Sequence, residues 1–187
     1  MSPATHFLAG WLLANTTALE RRERALVVCA AILPDVDGLG FIPELLTRNS
    51  AHPVLWFSQY HHALHTLLFA LIVTTAAFFL ARQRWKTALL VFLSFHLHLF
   101  CDVIGARGPD GYQWPIPYLF PFSNSLQLTW HGQWALNAWP NILMTVVLIF
   151  FTLWLAWKTG RSPLEFVSEK ANAVFIRTVR ARFSASS

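Results

Sequence analysis

Twelve of the fourteen lysines and arginines in this 187-residue chain fall in three places. These are Arg21, Arg22 and Arg24; Arg82, Arg84 and Lys86; and Lys158, Arg161, Lys170, Arg177, Arg180 and Arg182. Between them run apolar stretches of helical length. If the helices alternate up and down, all three basic places come out at one end of an antiparallel bundle. By the positive-inside rule that end is cytoplasmic. Composition agrees with a membrane location: 55% of residues are apolar and 12% charged, about half the charge of a soluble domain. The two cysteines, Cys29 and Cys101, lie inside apolar runs and form neither a disulfide scaffold nor a zinc-type cluster.

Local signals set the expected elements. Ser2 and Pro3 open a helix over residues 5–19 with His6 in its first turn. The charged turn 20–24 leads into a helix over 25–33, which Pro34 stops. Residues 41–60 read as irregular or short-helical. The next helix starts near His61 and stays apolar to Ala81, long enough to span. Another covers 87–104. Five prolines and four glycines between 105 and 140 preclude a continuous helix. The aromatics there, Tyr112, Trp114, Tyr118, Trp130, Trp134 and Trp139, suit an interfacial belt or the rim of an apolar cleft. A last span covers 140–157, and residues 163–183 form a basic amphipathic helix of the kind that lies on anionic membranes. The expected fold is all-α: an antiparallel multi-helix membrane bundle over 1–157, followed by a tail over 158–187.

The alternation that gathers the cations also gathers possible metal ligands at the opposite end. They are His6, Asp35 with Asp37, His61 with His65, His98 with Asp102, and His131. His98 and Asp102 form an H-x-x-x-D pair, one above the other on a helix face and able to reach one cation. Asp35 and Asp37 sit where the macrodipole disfavours carboxylates, so they need either an Asx turn closed by Gly38 or a chemical role. His61 and His65 are spaced for one helix face. His62 faces away from both and suits a contact to substrate. His96 diverges from His98 by about 200° on a helix and reads as a packed core histidine.

Carboxylates with imidazoles suit zinc, or else manganese, as one or two ions in a hydrolytic site. Asp102 is the residue suited to bridge two ions. Whichever of Asp35 and Asp37 is not a ligand is left to orient or deprotonate the attacking water. His62 completes the expected catalytic group, and Tyr60, Arg107 or Tyr112 could meet an anionic substrate. The expected activity is hydrolysis of a small-molecule or lipid substrate at the bilayer, on the periplasmic or extracellular side of a bacterial inner membrane. The alternative is a non-catalytic metal-binding membrane protein or transporter, which would place its ligands near mid-membrane. A nucleic-acid partner is disfavoured, because the cations lie opposite the site.

Five pieces of sequence carry a family resemblance: Thr5-His6, P-D-V-D at 34–37, H-H-A-L-H-T at 61–66, H-L-F-C-D at 98–102 and L-F-P-F-S at 119–123. In this order they resemble the bacterial membrane-bound metal-dependent hydrolases, a family that includes a DNA-damage-inducible inner-membrane protein. The resemblance covers residues 1 to about 155, with His62 where the family often has arginine. That family is similar in turn to the all-helical zinc-dependent phospholipases C and single-strand nucleases, in which the aspartate of an H-x-x-x-D pair bridges zincs. The likeness implies the phospholipase C helical fold and cleavage of a phosphoester or phospholipid-type substrate.

Overall fold

The computed structural model describes residues 1–108 and 111–184, and its core is a bundle of helices. Helix α1 spans Pro3–Ala14 and α2 spans Arg21–Ala30. A 3-10 segment, Leu33–Gly40, then leads into the short helices α3 (Phe41–Thr47) and α4 (Trp56–Tyr60). Helices α5 (Leu67–Leu80) and α6 (Arg84–Gly105) form an antiparallel pair. A two-stranded hairpin follows, β1 (Ile116–Pro117) and β2 (Gln127–Leu128), then α7 (Trp139–Thr159), a 3-10 turn (Pro163–Phe166) and α8 (Glu169–Ser184).

Two of these helices, α6 and α7, are long and apolar enough to cross a membrane. At about 1.5 Å per residue each reaches the roughly 30 Å of a bilayer core. They differ in role: 56% of the apolar window of α6 is buried in the protein, against 11% for α7. Helix α6 is therefore the central post, and α7 presents most of its surface to lipid. Against Leu90 and Val91 in the first half of α6 pack Trp11, Val27 and Ala77, all buried. Against Phe95 and Leu99 in its second half pack Ala70 and Ile116. Gly10 lets α1 approach α2 and α6 closely, since a Cβ there would stand 2.5 Å from Ala31 Cβ and 3.3 Å from Ser94 Oγ. Small residues at such crossings are the usual route to close packing between apolar helices.

Several expected boundaries move. The first helix ends at Ala14, where Asn15 folds its side-chain amide back onto the Trp11 carbonyl. The helix expected from His61 begins at Leu67, because Thr66 caps it by accepting a hydrogen bond from Phe69 N–H. His61 to His65 thus lie in turns rather than on a helix face. At 14 residues α5 falls short of spanning length. Helix α2 and the segment Leu33–Thr47 reach that length together, with a 51° bend between them. The amphipathic tail divides into the 3-10 turn and α8. Helix α8 packs through Ile176 and Val179, and the face carrying Ala171, Val174, Phe175 and Thr178 is left as an open groove.

The three basic places meet at one end of the bundle. Arg24, buried, grips Glu165 through two hydrogen bonds of 2.8 and 2.9 Å, tying the start of α2 to the turn before α8. Its third arm donates to the Leu19 carbonyl. Glu23 accepts from Gln83 N–H, Arg82 pairs with Glu20, and Lys86 donates to the Ala18 carbonyl. This polar layer fixes the register of α1, α2, α6 and the tail.

A buried pair broken on one side leaves a charge without its partner. Glu165→Ala is expected to lower the unfolding free energy by about 3–5 kcal/mol, read from thermal or denaturant unfolding in detergent. Replacing Arg24 and Glu165 together by Met and Leu is expected to recover most of that loss.

Candidate metal centre

At the other end, four separate segments deliver acidic and imidazole groups to one point. His6 comes from the first turn of α1, Asp35 from the 3-10 segment, His65 from the turn before α5, and His98 with Asp102 from the last turns of α6. One ligand atom each from His6, Asp35, His98 and Asp102 lies within 4.8 Å of the others. His6 Nε2 is 3.1 Å from Asp102 Oδ1, and His98 Nε2 is 3.0 Å from Asp102 Oδ2. His65 Nε2 is 3.2 Å from His98 Nε2, 3.7 Å from Asp102 Oδ2 and 3.9 Å from Asp35 Oδ1. Donor atoms held about 2.0–2.3 Å from one divalent ion stand about 3–4 Å apart, so these separations fit a cation among them.

The hydrogen bonds on the far sides of the rings support the same reading. His98 Nδ1–H donates to the Ala31 carbonyl at 2.8 Å, which leaves Nε2 as the lone pair when the ring is neutral. That lone pair faces carboxylate oxygens and another imidazole nitrogen. Acceptor atoms converge in this way only where a proton or a cation lies among them. Asp35 Oδ2 is buried without a hydrogen-bond partner and points toward His6 Nε2 at 4.0 Å. The Met1 amino group also contacts Asp102 Oδ1.

Asp37 stands one step further out. Its Oδ1 is 2.9 Å from His61 Nδ1, its Oδ2 accepts from Leu64 N–H at 3.1 Å, and Oδ2 is 3.7 Å from His65 Nδ1. The carboxylate thus holds the turn carrying His61 and His65 and backs the ring that faces the centre. Burial works against a charge on His65, but the carboxylates of Asp102 and Asp37 outweigh it and raise the ring to about 9.

A pocket of about 290 Å³ opens onto the cluster. Asp35, His61, His62, His65 and Asp102 form its polar part, and Phe57, Trp114, Ile116 and Leu136 its apolar wall. His62 lies on this wall with its ring 4.8 Å from Trp114. Burial and the neighbouring His65 and His61 push it down to about 4, so it is neutral at physiological pH.

Of the residues expected to ligate, the structure brings together His6, Asp35, His65, His98 and Asp102, with Asp37 and His61 beside them. It does not bring His131, which is exposed in the turn after β2. His131 has no contact to the cluster among the described residues. His96 is half-buried and hydrogen-bonded on both ring nitrogens, away from the cluster. Its Nδ1–H donates to the Phe92 carbonyl, and Nε2 accepts from the Tyr118 hydroxyl at 2.8 Å. Of the aromatics, Trp114 rims the pocket, while Tyr112, Trp130 and Trp139 are exposed. Arg107 is half-buried, with its backbone bonded to Trp134 and Leu136. The side chain of Tyr60 lies outside the described residues.

Sequence reasoning missed the residues that mount Asp102. Buried Gln133 donates to the Asp102 carbonyl at 2.8 Å, Trp134 N–H to Ile104, and Asn141 to Gly105, so the last carbonyls of α6 are satisfied by the loop that follows it and by the first turn of α7. Gln133 is one of many polar residues in a loop, and no spacing rule singles it out.

The model of the YdjM inner membrane protein family matches residues 1–179. The chain belongs to that family. It is an inner-membrane, multi-pass protein with a buried His/Asp cluster able to coordinate a divalent metal. No curated protein and no solved structure matches it.

Two substitutions separate the inner set from its surroundings. Asp37→Ala removes the support of His61 and His65 and is expected to weaken divalent-metal affinity by about 10–100-fold, measured by titration against a competing chelator. His131→Ala is expected to leave that affinity unchanged.

Proposed function

We propose that this protein is a metal-dependent hydrolase that cleaves a phosphoester or phospholipid-type substrate at the inner membrane. In this reading the site faces the periplasmic or extracellular side and the basic tail lies in the cytoplasm. The observation that carries the reading is the convergence of His6, Asp35, His65, His98 and Asp102 at the floor of an open pocket. These five residues would hold the ion, with zinc the first choice for this donor set and manganese the second. A divalent cation there supplies charge that acidifies water and offsets charge on a leaving oxygen.

The chain's own groups take the remaining roles. The two oxygens of Asp102 face different histidines, His6 on Oδ1 and His98 with His65 on Oδ2, so Asp102 would be the central holder of the ion. Asp35, whose buried Oδ2 has no hydrogen-bond partner and faces His6, is one of the ligands, which leaves Asp37 to orient the attacking water through His61. His62, neutral on the pocket wall, can donate to or accept from a substrate oxygen. Phe57, Trp114 and Leu136 exclude water and offer an apolar surface to the substrate. This set, with an H-x-x-x-D aspartate at its centre, also supports the likeness to the zinc-dependent phospholipases C and single-strand nucleases. A transport role finds less support. Trp11, Val27, Leu90 and Val91 close the bundle with apolar packing along the first half of α6, away from the cluster.

Elemental analysis of wild type beside His98→Ala and Asp102→Asn proteins, paired with phosphate release from phospholipid vesicles and from a soluble phosphodiester, tests the proposal. Wild type is expected to retain divalent metal and both variants to lose it. Hydrolysis is expected to fall by more than the roughly 10–100-fold that loss of an outer support costs. Unchanged metal in both variants would overturn the centre. Bound metal with no hydrolysis of either substrate would favour a binding role.

A further inference from the structure

Behind the pocket, on the far side of Asp37, the protein carries a second and larger hollow. It is an open cleft of about 680 Å³ between the 3-10 segment and the turn before α5. Val36, Leu39, Pro43, Trp56, Ala63 and Leu64 line it. Trp56 lies so close over Gly40 that any side chain at that position would collide with its indole. Asp37 is the charged group among the lining residues, and its oxygens are already engaged by His61 and the Leu64 N–H. The cleft therefore offers bulk and apolar surface but no cation. Its size falls within the range of about 300–1,000 Å³ usual for ligand sites.

The surface around the cleft indicates what fills it. Leu39, Phe41, Ile42, Leu46, Leu55 and Trp56 are all exposed. In a soluble domain this would be a contiguous apolar patch without a purpose. Here the segment Leu33–Thr47 continues α2 and reaches membrane-spanning length with it, bent by 51°. Leu39, Phe41, Ile42 and Leu46 thus lie on a segment that, with α2, is long and apolar enough to cross a membrane. The cleft and the metal-facing pocket share one partition, since Asp37 lines the cleft while its partners His61 and His65 line the pocket.

We propose that this cleft seats an acyl chain of a membrane lipid that enters sideways over α3 and α4, with its phosphoester headgroup beside the His/Asp cluster. The fate of the headgroup rests on the hydrolase reading; the seating of the chain does not. A lipid held in this way presents its head to the pocket without leaving the bilayer. The chain passes from bilayer to cleft without meeting water, and the head turns over the Asp37 partition toward the polar pocket.

The test uses the full chain, treated with chelator and reconstituted in phosphatidylethanolamine vesicles. The vesicles contain phosphatidylglycerol that carries a diazirine near the end of one acyl chain. After illumination, mass spectrometry is expected to find adducts on residues 36–64 as well as on α7. Leu39→Glu places a charge in the cleft at an exposed position. It is expected to lower the adducts on 36–64 by roughly five-fold or more and to leave those on α7 unchanged. Adducts confined to α7, or adducts on 36–64 that Leu39→Glu does not reduce, would overturn the proposal. Because metal is absent, the readout is independent of turnover. Leu39-sensitive adducts in a protein that hydrolyses nothing would uphold the chain seat while removing the hydrolase reading. Hydrolysis of a soluble phosphodiester with no adducts on 36–64 would do the reverse.

Discussion

Two carboxylates cannot be buried side by side at the end of an apolar bundle unless positive charge is supplied to them. Asp102 is 9% exposed and Asp35 lies beside it, each facing the Nε2 atoms of buried histidines. Desolvation opposes every charge in this group. The Met1 amino group on Asp102, protons on the histidines or a divalent cation offsets that cost, and the positions of four segments follow from it. The first turn of α1, the 3-10 segment, the turn before α5 and the end of α6 all have to meet there. The backbone around Asp102 is satisfied by Gln133, Trp134 and Asn141, so this carboxylate is mounted on a rigid helix end rather than on a loop.

The opposite end answers the same problem without acidic clustering. Arg24 and Glu165 are buried as a bidentate pair, and Glu23 accepts from the backbone N–H of Glu20, at the cap of its own helix, and of Gln83. Between the two polar ends lies a layer of Trp11, Val27, Val91, Phe95 and Leu99. The molecule is therefore polar, apolar and polar along its axis, with each polar layer fixing helix register through directional contacts that apolar packing alone does not provide. The tail belongs to this scheme, because Glu165 anchors it before α8 begins.

Much of this was legible in the sequence, and particular residues show where legibility ends. The grouping of cations, and of histidines with aspartates, at opposite ends of alternate helices holds in the structure. His98 and Asp102 meet as their four-residue spacing predicts, because both lie on one continuous helix. His61 and His65 share the same spacing but not the helix. Their proximity is set by Asp37, which binds both from 24 and 28 positions away. His131 sits at an expected turn, yet that turn faces outward. The apolar face read for the tail is divided: Val179, one of its members, packs together with Ile176, while Ala171, Val174, Phe175 and Thr178 line an open groove.

The sequence by itself determined an all-helical membrane bundle, its two polar ends and most of the residues at the acidic one. Those features depend on periodicity, spacing and the cost of burying charge, which are properties of a linear chain in lipid. Only the tertiary structure decided which of the imidazoles and carboxylates share a point, which merely support them, and which residues of the long loop secure Asp102. These choices depend on how close α1, α2 and α6 can pack at Gly10 and on the path of the turns at 31–40 and 61–66. Contacts between segments far apart in the chain fix both, and no local pattern encodes them.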